Sequence, residues 1–324
     1  MDRRKLVALG RRDDPHINAV LDCLADDVQG SVFDFTESDE RFALSYTDGE
    51  FSIDFGSVNV CSLDPVIVWP RIKSPQPIHY ASQAVDETTY AIGQWIGSIF
   101  AALALLDEAH IFNSGAYQGA RRAKPFQIFT AIQAGLSVPE TSVTNSVEAL
   151  KGIGSQSLVY KPVNELVHRS AGRPLTTGFH LNELIEAADT VGRHPAIFQE
   201  RICGVWEWRV HVFGGDHFAF RQPSVHGSED RVDVRLAGSS KLKPGESPKF
   251  DEVLPKCRKF LSMMKWDIGI FDFIETADGD FIFIECNYDG QWYWAVDRYN
   301  LPMAASLAEV FRTRLDPADR ECRL

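Results

Sequence analysis

Two carboxylates, Asp272 and Glu285, lie inside an otherwise apolar stretch of the sequence, GIFDFIETADGDFIFIECNYDGQW. The Asp278-Gly279 dipeptide near its middle is typical of a two-residue turn that joins antiparallel strands. With that turn, Asp272 lies directly across from Glu285. Carboxylates in such a cross-strand pair have β-carbons about 4.5–5.5 Å apart, and their repulsion is destabilising. The pattern therefore predicts that a positive group lies between them.

Magnesium suits this arrangement, because Mg²⁺ prefers oxygen ligands and needs only one or two carboxylates beside water and phosphate. Asn287 lies on the same face of the predicted hairpin, since side chains alternate along a strand. The alternative is a solvated polar face on an edge hairpin. The other face is predicted to be apolar and to contain Phe271, Phe273, Ile282, Ile284 and Cys286.

Basic residues elsewhere in the sequence could hold the phosphates of a nucleotide. Lys124 stands at the start of a predicted helix, where free backbone N–H groups also bind phosphate. Lys161 lies in the apolar strand SLVYKPV, and Arg209 shares one face of the strand WEWRVHVF with Glu207 and His211. Each cation alone could be ordinary surface charge or an ion-pair partner. Together with the carboxylates, they predict a polar surface that binds nucleotide and metal.

Histidines and tryptophans near these segments have simpler interpretations. His211 and His217 flank a turn and lack a third ligand nearby in the sequence, so we interpret them as structural histidines and not as zinc ligands. Trp292 and Trp294 fit core packing near the site as well as stacking on a ligand.

The elements that carry these residues form three regions. Residues 1–115 mix short strands such as VFDF and PVIVWPRI with a long helix near 82–109. Residues 116–203 and 204–324 interleave strands and helices, with prominent hairpins in the last region. This order predicts α+β units with antiparallel sheets, and not a doubly wound parallel sheet.

The helix PFQIFTAIQAGL opens the second region. Pro125 suits its first turn, and Gly135 suits its end. Its spacing of apolar residues predicts a buried face formed by Phe126, Phe129, Ile132 and Leu136.

Composition limits the class of protein. The 324 residues suffice for two or three packed units, and 44% hydrophobic with 24% charged residues is typical of a soluble globular protein. The net charge of −12 argues against general nucleic-acid binding and against docking on anionic membranes. The dispersed cysteines fit a reducing compartment. Without a recognisable signal peptide or an apolar run of membrane-spanning length, the expected location is the cytoplasm.

The order of the motifs resembles the ATP-grasp superfamily, and most closely the peptide maturases of graspetide (microviridin-type) pathways. In chain order the motifs are KPFQIFTAIQAGLSVPETSVTN, VYKP, FQERI, EWRVHVFG, FDFIE and IECNYDGQWYW, followed by the closing helix YNLPMAASLAEVF. Tyr288 stands where the maturases' Glu-x-Asn-Pro-x-Gly-Gln-Trp signature has Pro. The signature is otherwise matched by Glu285, Asn287, Gly290, Gln291 and Trp292.

The resemblance implies an ATP-grasp fold: an N-terminal α/β domain (1–115), a central subdomain (116–203) and a C-terminal subdomain (204–324), the last two enclosing ATP. The nucleotide-binding residues that it implies are Lys124 and Lys161 at the phosphates, Gln199, Glu200 and the backbone of Ile202 at adenine, and Glu207 at the ribose. The implied catalytic residues are Arg209 at the transferred phosphoryl group and Arg221 at the acyl phosphate. The implied ligands of two Mg²⁺ ions are Asp272, Glu285 and Asn287.

Two further segments carry weaker resemblances. VIVWPRIK is similar to a Trp-x-Arg element, at Trp69 and Arg71, near the end of the first domain. The polar loop from Asn164 to Thr177 follows the strand of Lys161 and is the predicted cover of the nucleotide.

The activity implied by the resemblance is ATP-dependent ligation. Asp or Glu side chains of a ribosomal precursor peptide, with leader and core segments, would be activated as acyl phosphates. Ser or Thr hydroxyls or Lys amines would then close macrocyclic esters or amides. The alternatives are a ligase of amino acids or protein tails, a kinase on the same fold, and a peptide-binding protein without catalysis. No nucleic-acid or membrane partner is expected, and a homodimer is left open.

Overall fold

The computed structural model describes residues 4–24, 26–37, 39–47, 50–56, 58–60, 65–72, 87–117, 121, 123–163, 177–224 and 241–316. The chain forms two compact units. The first unit comprises Met1–Gly119, Lys265–Asp267 and Asp289–Leu324, and the second comprises Ala120–Met264 and Ile268–Tyr288. Of the predicted nucleotide cover, residues 164–176 lie outside the described residues.

Strands and helices are interleaved along the described part of the chain. The strands are β1 (Lys5–Leu9), β2 (Gln29–Phe33), β3 (Phe42–Thr47), β4 (Glu50–Phe55), β5 (Val58–Val60), β6 (Val66–Pro70), β7 (Thr141–Thr144), β8 (Ser157–Lys161), β9 (Thr177–His180), β10 (Ala196–Glu200), β11 (Trp206–Phe213), β12 (Asp216–Pro223), β13 (Lys243–Pro244), β14 (Ile268–Glu275) and β15 (Phe281–Asn287). The helices are α1 (Pro15–Leu24), α2 (Glu87–Leu105), α3 (Lys124–Ala134), α4 (Val147–Leu150), α5 (Leu181–Glu186), α6 (Ala188–Val191), α7 (Phe250–Met264), α8 (Tyr293–Tyr299) and α9 (Met303–Arg314).

A parallel sheet with the order β2-β1-β6 lies at the centre of the first unit. Strands β1 and β6 are almost entirely apolar and buried, as expected for parallel strands that are covered on both faces. An antiparallel meander, β3-β4-β5, packs beside them and shares their core. Within that core, the ring of Phe33 lies 5.4 Å from that of Phe55 and 5.9 Å from that of Trp95 on α2.

The C-terminal segment completes the first unit. Helix α9 packs against α1, and the ring of Phe311 lies 5.1 Å from Trp69 and 4.4 Å from Phe112. Arg314 Nη1 contacts Asp267 Oδ1 at 2.6 Å, with both side chains buried. Residues 289–316 therefore share a core with the N-terminal part of the chain. The predicted domain boundaries at 1–115, 116–203 and 204–324 stay a prediction.

The second unit contains two antiparallel sheets. The smaller one has the order β7-β10-β8-β9, and helices α4, α5 and α6 cover one of its faces. The larger one has the order β13-β12-β11-β14-β15, and α7 covers one of its faces. On that face the ring of Phe260 in α7 lies 5.4 Å from Phe271, and Phe250 lies 5.2 Å from Trp208. The opposite faces carry Lys161 and Gln199 on the smaller sheet, and Arg209, Asp272 and Glu285 on the larger one.

The predicted buried face of α3 is wrong for most of its residues. Phe126, Phe129 and Ile132 are exposed by 36%, 59% and 50%, although Leu136 just beyond the helix is buried. The residues of α3 that are buried are Gln127, Thr130, Ala131 and Ala134. Helix α3 lies against α7 and β15, and its small and polar residues let it approach them closely. Its predicted end is confirmed, since Gly135 adopts a φ of 88° there.

Helix α2 is confirmed over Glu87–Leu105 and ends four residues before the predicted residue 109. Residues 82–86 of the predicted span lie outside the described residues. Across the described part of the chain, we find no helix whose length and apolar character would allow it to cross a membrane.

Candidate active site

The hairpin of β14 and β15 brings Asp272 directly opposite Glu285, as predicted, although its turn and strand register differ from the predicted ones. The turn is one residue longer than predicted: Thr276 N–H donates to Asp280 O at 2.9 Å, and Gly279 takes a left-handed φ of 82°. A β-bulge between Asp272 and Phe273 then shifts the register by one residue in the other direction. The two shifts cancel, so the carboxylate pair is restored.

The longer turn also changes which residues of β15 face the core, between the turn and the bulge. The prediction that Ile282 and Ile284 join the apolar face is wrong, since both are only half-buried. Phe281 and Phe283 take their place beside Phe273, at ring distances of 5.8 and 6.1 Å. The buried members of β15 are Phe281, Phe283 and Cys286.

Two cations accompany the carboxylate pair. Arg209 contacts Asp272 with two bonds, from Nε to Oδ1 at 2.8 Å and from Nη2 to Oδ2 at 3.0 Å. Lys124 Nζ lies 3.6 Å from Glu285 Oε2. Along one face of the larger sheet and the start of α3, the two carboxylates lie side by side, with one cation at each end of the pair.

Burial raises the pKa of Asp272 above its ordinary value, the guanidinium of Arg209 opposes this shift, and the carboxylates of Glu285 and Glu207 add to it. The negative charge of Asp272 in turn raises the pKa of Arg209, which stays protonated. These carboxylates are therefore held in a place where additional positive charge is favourable.

Contacts between α3 and the edge strand β15 set the position of Lys124. Gln127 Oε1 accepts the backbone N–H of Cys286 at 3.0 Å, and Ser137 O accepts that of Phe283 at 2.8 Å. These bonds satisfy backbone donors at the open edge of the sheet. They also place the first turn of α3 beside Glu285. The backbone N–H groups in the first turn of a helix have no acceptor within the regular helix.

The polar face of the smaller sheet carries Lys161 and Gln199. Lys161 Nζ donates to Gln199 Oε1 at 2.6 Å, and Gln199 Nε2 donates to Thr141 Oγ1 at 2.9 Å. The chain leaves this sheet at Glu200 and passes through the half-buried Ile202 before it enters β11. The residues predicted at adenine thus lie near Lys161, on the smaller sheet and at its exit. Lys124, the other residue predicted at the phosphates, lies on α3.

Glu207 and Arg221 lie on different faces of the larger sheet. Glu207 is buried and accepts a hydrogen bond from Gln222 Nε2 at 2.8 Å, on the face that carries Arg209. Arg221 pairs with Trp208 in the register of β11 and β12, and its guanidinium lies 4.3 Å from the ring centroid of Trp206. Arg221 therefore lies on the opposite face from Arg209, because directly paired residues share a face and Trp208 faces α7. Its role at the acyl phosphate stays a prediction.

The metal prediction involves two carboxylates and one amide. Asn287 lies opposite Ile270, on the face of Asp272, and is exposed. Among the described residues, we find no cluster of three or more His, Cys, Asp or Glu side chains that could hold a metal ion. The arrangement thus differs from a site that the protein closes with its own ligands, and it suits a metal shared with a bound phosphate.

The aromatic and histidine side chains have structural environments. His211 is fully buried, and burial together with the charge of Arg209 lowers its pKa well below the ordinary value. The ring of His217 lies 5.6 Å from Phe250. Trp292 is buried in the first unit, where its backbone N–H donates to His16 Nε2 at 3.1 Å. The guanidinium of Arg298 lies 5.7 Å from the ring centroid of the half-buried Trp294.

Arg71 of the Trp-x-Arg element lies in a charged cluster of the first unit. Its Nε contacts Asp14 Oδ2 at 2.8 Å, and its Nη1 contacts Asp289 Oδ1 at 2.7 Å. Burial alone would raise the pKa of Asp14, but the hydrogen bond with His16 and the charge of Arg71 lower it far below its usual range.

Several solved structures are similar to the chain over nearly its whole length. A RiPP-associated ATP-grasp ligase of Chryseobacterium gregarium, solved with ADP and a leader and core peptide, has a TM-score of 0.78 and 22% identity, and the match covers 99% of each chain. The macrocyclase MdnC of Microcystis aeruginosa MRC, bound with precursor peptide MdnA, has a TM-score of 0.71 and 20% identity over 95% of this chain and 99% of that chain. The chain has the ATP-grasp fold.

A further solved structure is similar to the chain at lower identity. The D-cycloserine synthetase DcsG has a TM-score of 0.58 and 12% identity, over 96% of this chain and 100% of that chain. No family model and no curated protein matches this chain. The ATP-grasp fold predicted from the order of the motifs is confirmed by the structural similarity.

Three polar residues of this ATP-grasp chain were missed by the sequence reasoning. Gln222 and Ser224 both donate to Glu207, and Gln127 fixes the edge of the sheet. The signal for Gln222 was available, since it lies opposite Glu207 once β11 and β12 are paired around the Gly214-Gly215 turn. Gln127 gave no comparable signal, because its partner is a backbone group distant in sequence.

Proposed function

We propose that this ATP-grasp protein is an ATP-dependent carboxylate ligase that modifies a ribosomal precursor peptide. Its substrate would be the side-chain carboxylate of an Asp or Glu in the core segment. The observation that carries the proposal is the Asp272–Glu285 pair with Arg209 and Lys124 at its two ends, on a polar face of the larger ATP-grasp sheet.

The residues present fit a bound nucleotide with Mg²⁺. Asp272, Glu285 and Asn287 would hold the metal, and a carboxylate has lone pairs enough for Asp272 to keep its bonds to Arg209 while it coordinates. When bound, Mg²⁺ supplies charge neutralisation at the phosphates. The raised pKa of Asp272 supports this assignment, because nearby positive charge would relieve its repulsion from Glu285.

The basic residues would bind and orient the triphosphate. Lys124 would contact phosphate from the first turn of α3, where backbone N–H groups reinforce it. Lys161 would do so from β8, with Gln199 fixing its ammonium group at 2.6 Å. Arg209 would steady the transferred phosphoryl group, since its guanidinium is held by two bonds to Asp272. Catalysis would then rest on positioning and electrostatic stabilisation.

The reaction has two steps. A carboxylate oxygen of the peptide attacks the γ-phosphorus of ATP, which gives an acyl phosphate and ADP. A Ser or Thr hydroxyl, or a Lys amine, then attacks the acyl carbon and releases phosphate and a proton. The product is a macrocyclic ester or amide that has lost one water per ring. Acyl phosphates react with water, so the site must exclude solvent until the hydroxyl or amine attacks.

The similar structures support the peptide as the substrate class. The Chryseobacterium ligase was solved with ADP and a leader and core peptide, and MdnC with its precursor peptide. The neighbour PsnB was solved with a minimal precursor, Mg and ADP. Each aligns over most of the present chain, including the segment that follows Trp292.

Mass spectrometry of a treated peptide tests the proposal. The probe is a synthetic leader-plus-core peptide encoded by a short neighbouring reading frame rich in Thr, Lys, Asp and Glu. Incubation with enzyme, ATP and Mg²⁺ should produce ADP and a peptide lighter by one or more waters. A peptide that gains a stable phosphate would instead support a kinase. Turnover of free amino acids with no change in the peptide would favour a small-molecule ligase, the class to which DcsG belongs.

A further inference from the structure

Glu207 has a directly paired partner in the proposed nucleotide site. Gln222 lies opposite it in the register of β11 and β12, and Gln222 Nε2 donates to Glu207 Oε2 at 2.8 Å. Both side chains are nearly inaccessible, at 6% exposure for Glu207 and 3% for Gln222. Ser224 Oγ also donates to Glu207, at 3.3 Å to Oε1.

The charge of Glu207 fixes the orientation of the Gln222 amide. An ionised carboxylate only accepts hydrogen bonds, so the amide must turn its NH₂ group towards it. The reversed amide would bring two acceptor oxygens together. With its NH₂ group turned towards Glu207, Gln222 keeps Oε1 buried without a hydrogen-bond partner in the described structure. Buried acceptors of this kind are uncommon in folded proteins and call for a donor.

We propose that Gln222 is a sugar-recognition residue, whose Oε1 accepts a hydrogen bond from a ribose hydroxyl of the bound nucleotide. The inference rests on the proposed function, in which Glu207 holds the ribose. A ribose presents two adjacent hydroxyl donors, which match two adjacent acceptors, the Glu207 carboxylate and Gln222 Oε1. Phosphate oxygens lack a hydrogen to donate at this position.

The position of the pair along the sheet fits this role. Glu207 precedes Arg209 by two residues on β11, which separates them by about 6.6 Å along the strand. The sugar would thus lie one step away from the phosphate end, which is marked by Arg209 and Asp272. Ser224 N–H donates to Val205 O at 2.9 Å, so the pair also adjoins the segment that leads out of the smaller sheet.

Calorimetry with ADP, 2′-deoxy-ADP and 3′-deoxy-ADP in the presence of Mg²⁺ tests the inference without a peptide. The variant is Gln222→Met, which keeps the volume of the side chain and removes its polar atoms. The expected result is that the variant binds ADP about tenfold more weakly, because a buried hydrogen bond is lost. One of the two deoxy nucleotides should bind wild type and variant equally, because it lacks the hydroxyl that Gln222 contacts.

Ser224→Ala is the matched control, since it removes a donor to Glu207 and leaves Gln222 Oε1 in place. It should weaken ADP and the deoxy nucleotide that keeps the hydroxyl contacted by Glu207, so the deoxy form whose affinity is unchanged should differ from the one in Gln222→Met. An equal loss for all three nucleotides in Gln222→Met, or no loss, would overturn the sugar contact while the nucleotide site stands. A wild-type protein that binds ADP without discriminating either deoxy form would overturn it even if the variant failed to fold. No ADP binding by wild type would overturn the proposed function itself.

Discussion

Asp272→Asn and Glu285→Gln are nearly isosteric changes to the same carboxylate pair, and we expect them to differ in their effect on stability. Asp272→Asn leaves the Arg209 guanidinium, which is one-third exposed, without its two charge-assisted bonds of 2.8 and 3.0 Å. Removing one partner of a fully buried pair costs about 3–5 kcal/mol, and of an exposed one about 0–1 kcal/mol. The intermediate exposure gives an expected loss of about 1–3 kcal/mol.

Glu285→Gln removes two opposing contributions. The contact with Lys124 at 3.6 Å is partly exposed, and such a pair contributes about 0–1 kcal/mol. The repulsion from Asp272 is relieved by about 0.2–1 kcal/mol, the range for directly opposed side chains. The net change in the free energy of unfolding is therefore within about 1 kcal/mol of zero.

Thermal unfolding and ADP release measure the two effects side by side. At about 2–4 °C per kcal/mol, Asp272→Asn should lower Tm by several degrees and Glu285→Gln should change it little. Both should abolish Mg²⁺-dependent ADP formation. Glu252→Gln is the control, because this exposed carboxylate of α7 forms surface ion pairs with Lys256 and Lys249, and its replacement should change neither quantity. Near-normal turnover in Glu285→Gln, or a Tm loss as large as that of Asp272→Asn, would refute the reasoning.

Lys161→Ala should weaken ATP binding by about tenfold or more, as expected for loss of a charged contact, with little change in Tm; unchanged affinity in calorimetry would identify Lys161 as ordinary surface charge. The lowered pKa of Asp14 means that its contribution to stability is present above its unfolded pKa of about 3.9 and is lost as the pH falls towards the lower folded value. The difference in urea stability between wild type and Asp14→Asn should therefore be largest near neutral pH and shrink below about pH 4, and a difference that is constant with pH would contradict this. Phe129→Ser should leave Tm within about 2 °C, because the side chain is exposed; a larger loss would mean that the outer face of α3 is packed.

The sequence predicted the carboxylate pair correctly from a turn that the structure does not contain. Strand alternation and the Asp-Gly dipeptide are local signals, and they led to the pairing of Asp272 with Glu285. The longer turn and the bulge are each determined by backbone pairing that a single sequence does not reveal. The predicted apolar face of β15 is nevertheless wrong, because Phe283 and not Ile284 is buried there.

The exposed face of α3 has a similar explanation. Apolar spacing predicts a buried face only when apolar contacts decide how a helix packs. Here Gln127 binds the edge strand through a backbone group, and Ala131 and Ala134 permit close approach, so the helix turns its Phe residues outward. The face on which Arg221 lies could not be predicted from the motif alone, because it depends on the strand register, which pairs Arg221 with Trp208.

The measurement that tests the central claim most directly is the capture of an activated carboxylate. The leader-plus-core peptide, enzyme, ATP and Mg²⁺ are incubated with hydroxylamine, and the peptide is analysed by mass spectrometry. The ligase account predicts ATP-dependent conversion of Asp or Glu side chains to hydroxamates, with fewer rings formed and ADP released in step. It predicts that Glu285→Gln, which should remain folded, forms neither hydroxamates nor rings. A phosphopeptide that is stable to hydroxylamine, with no hydroxamate and no loss of water, would contradict the account.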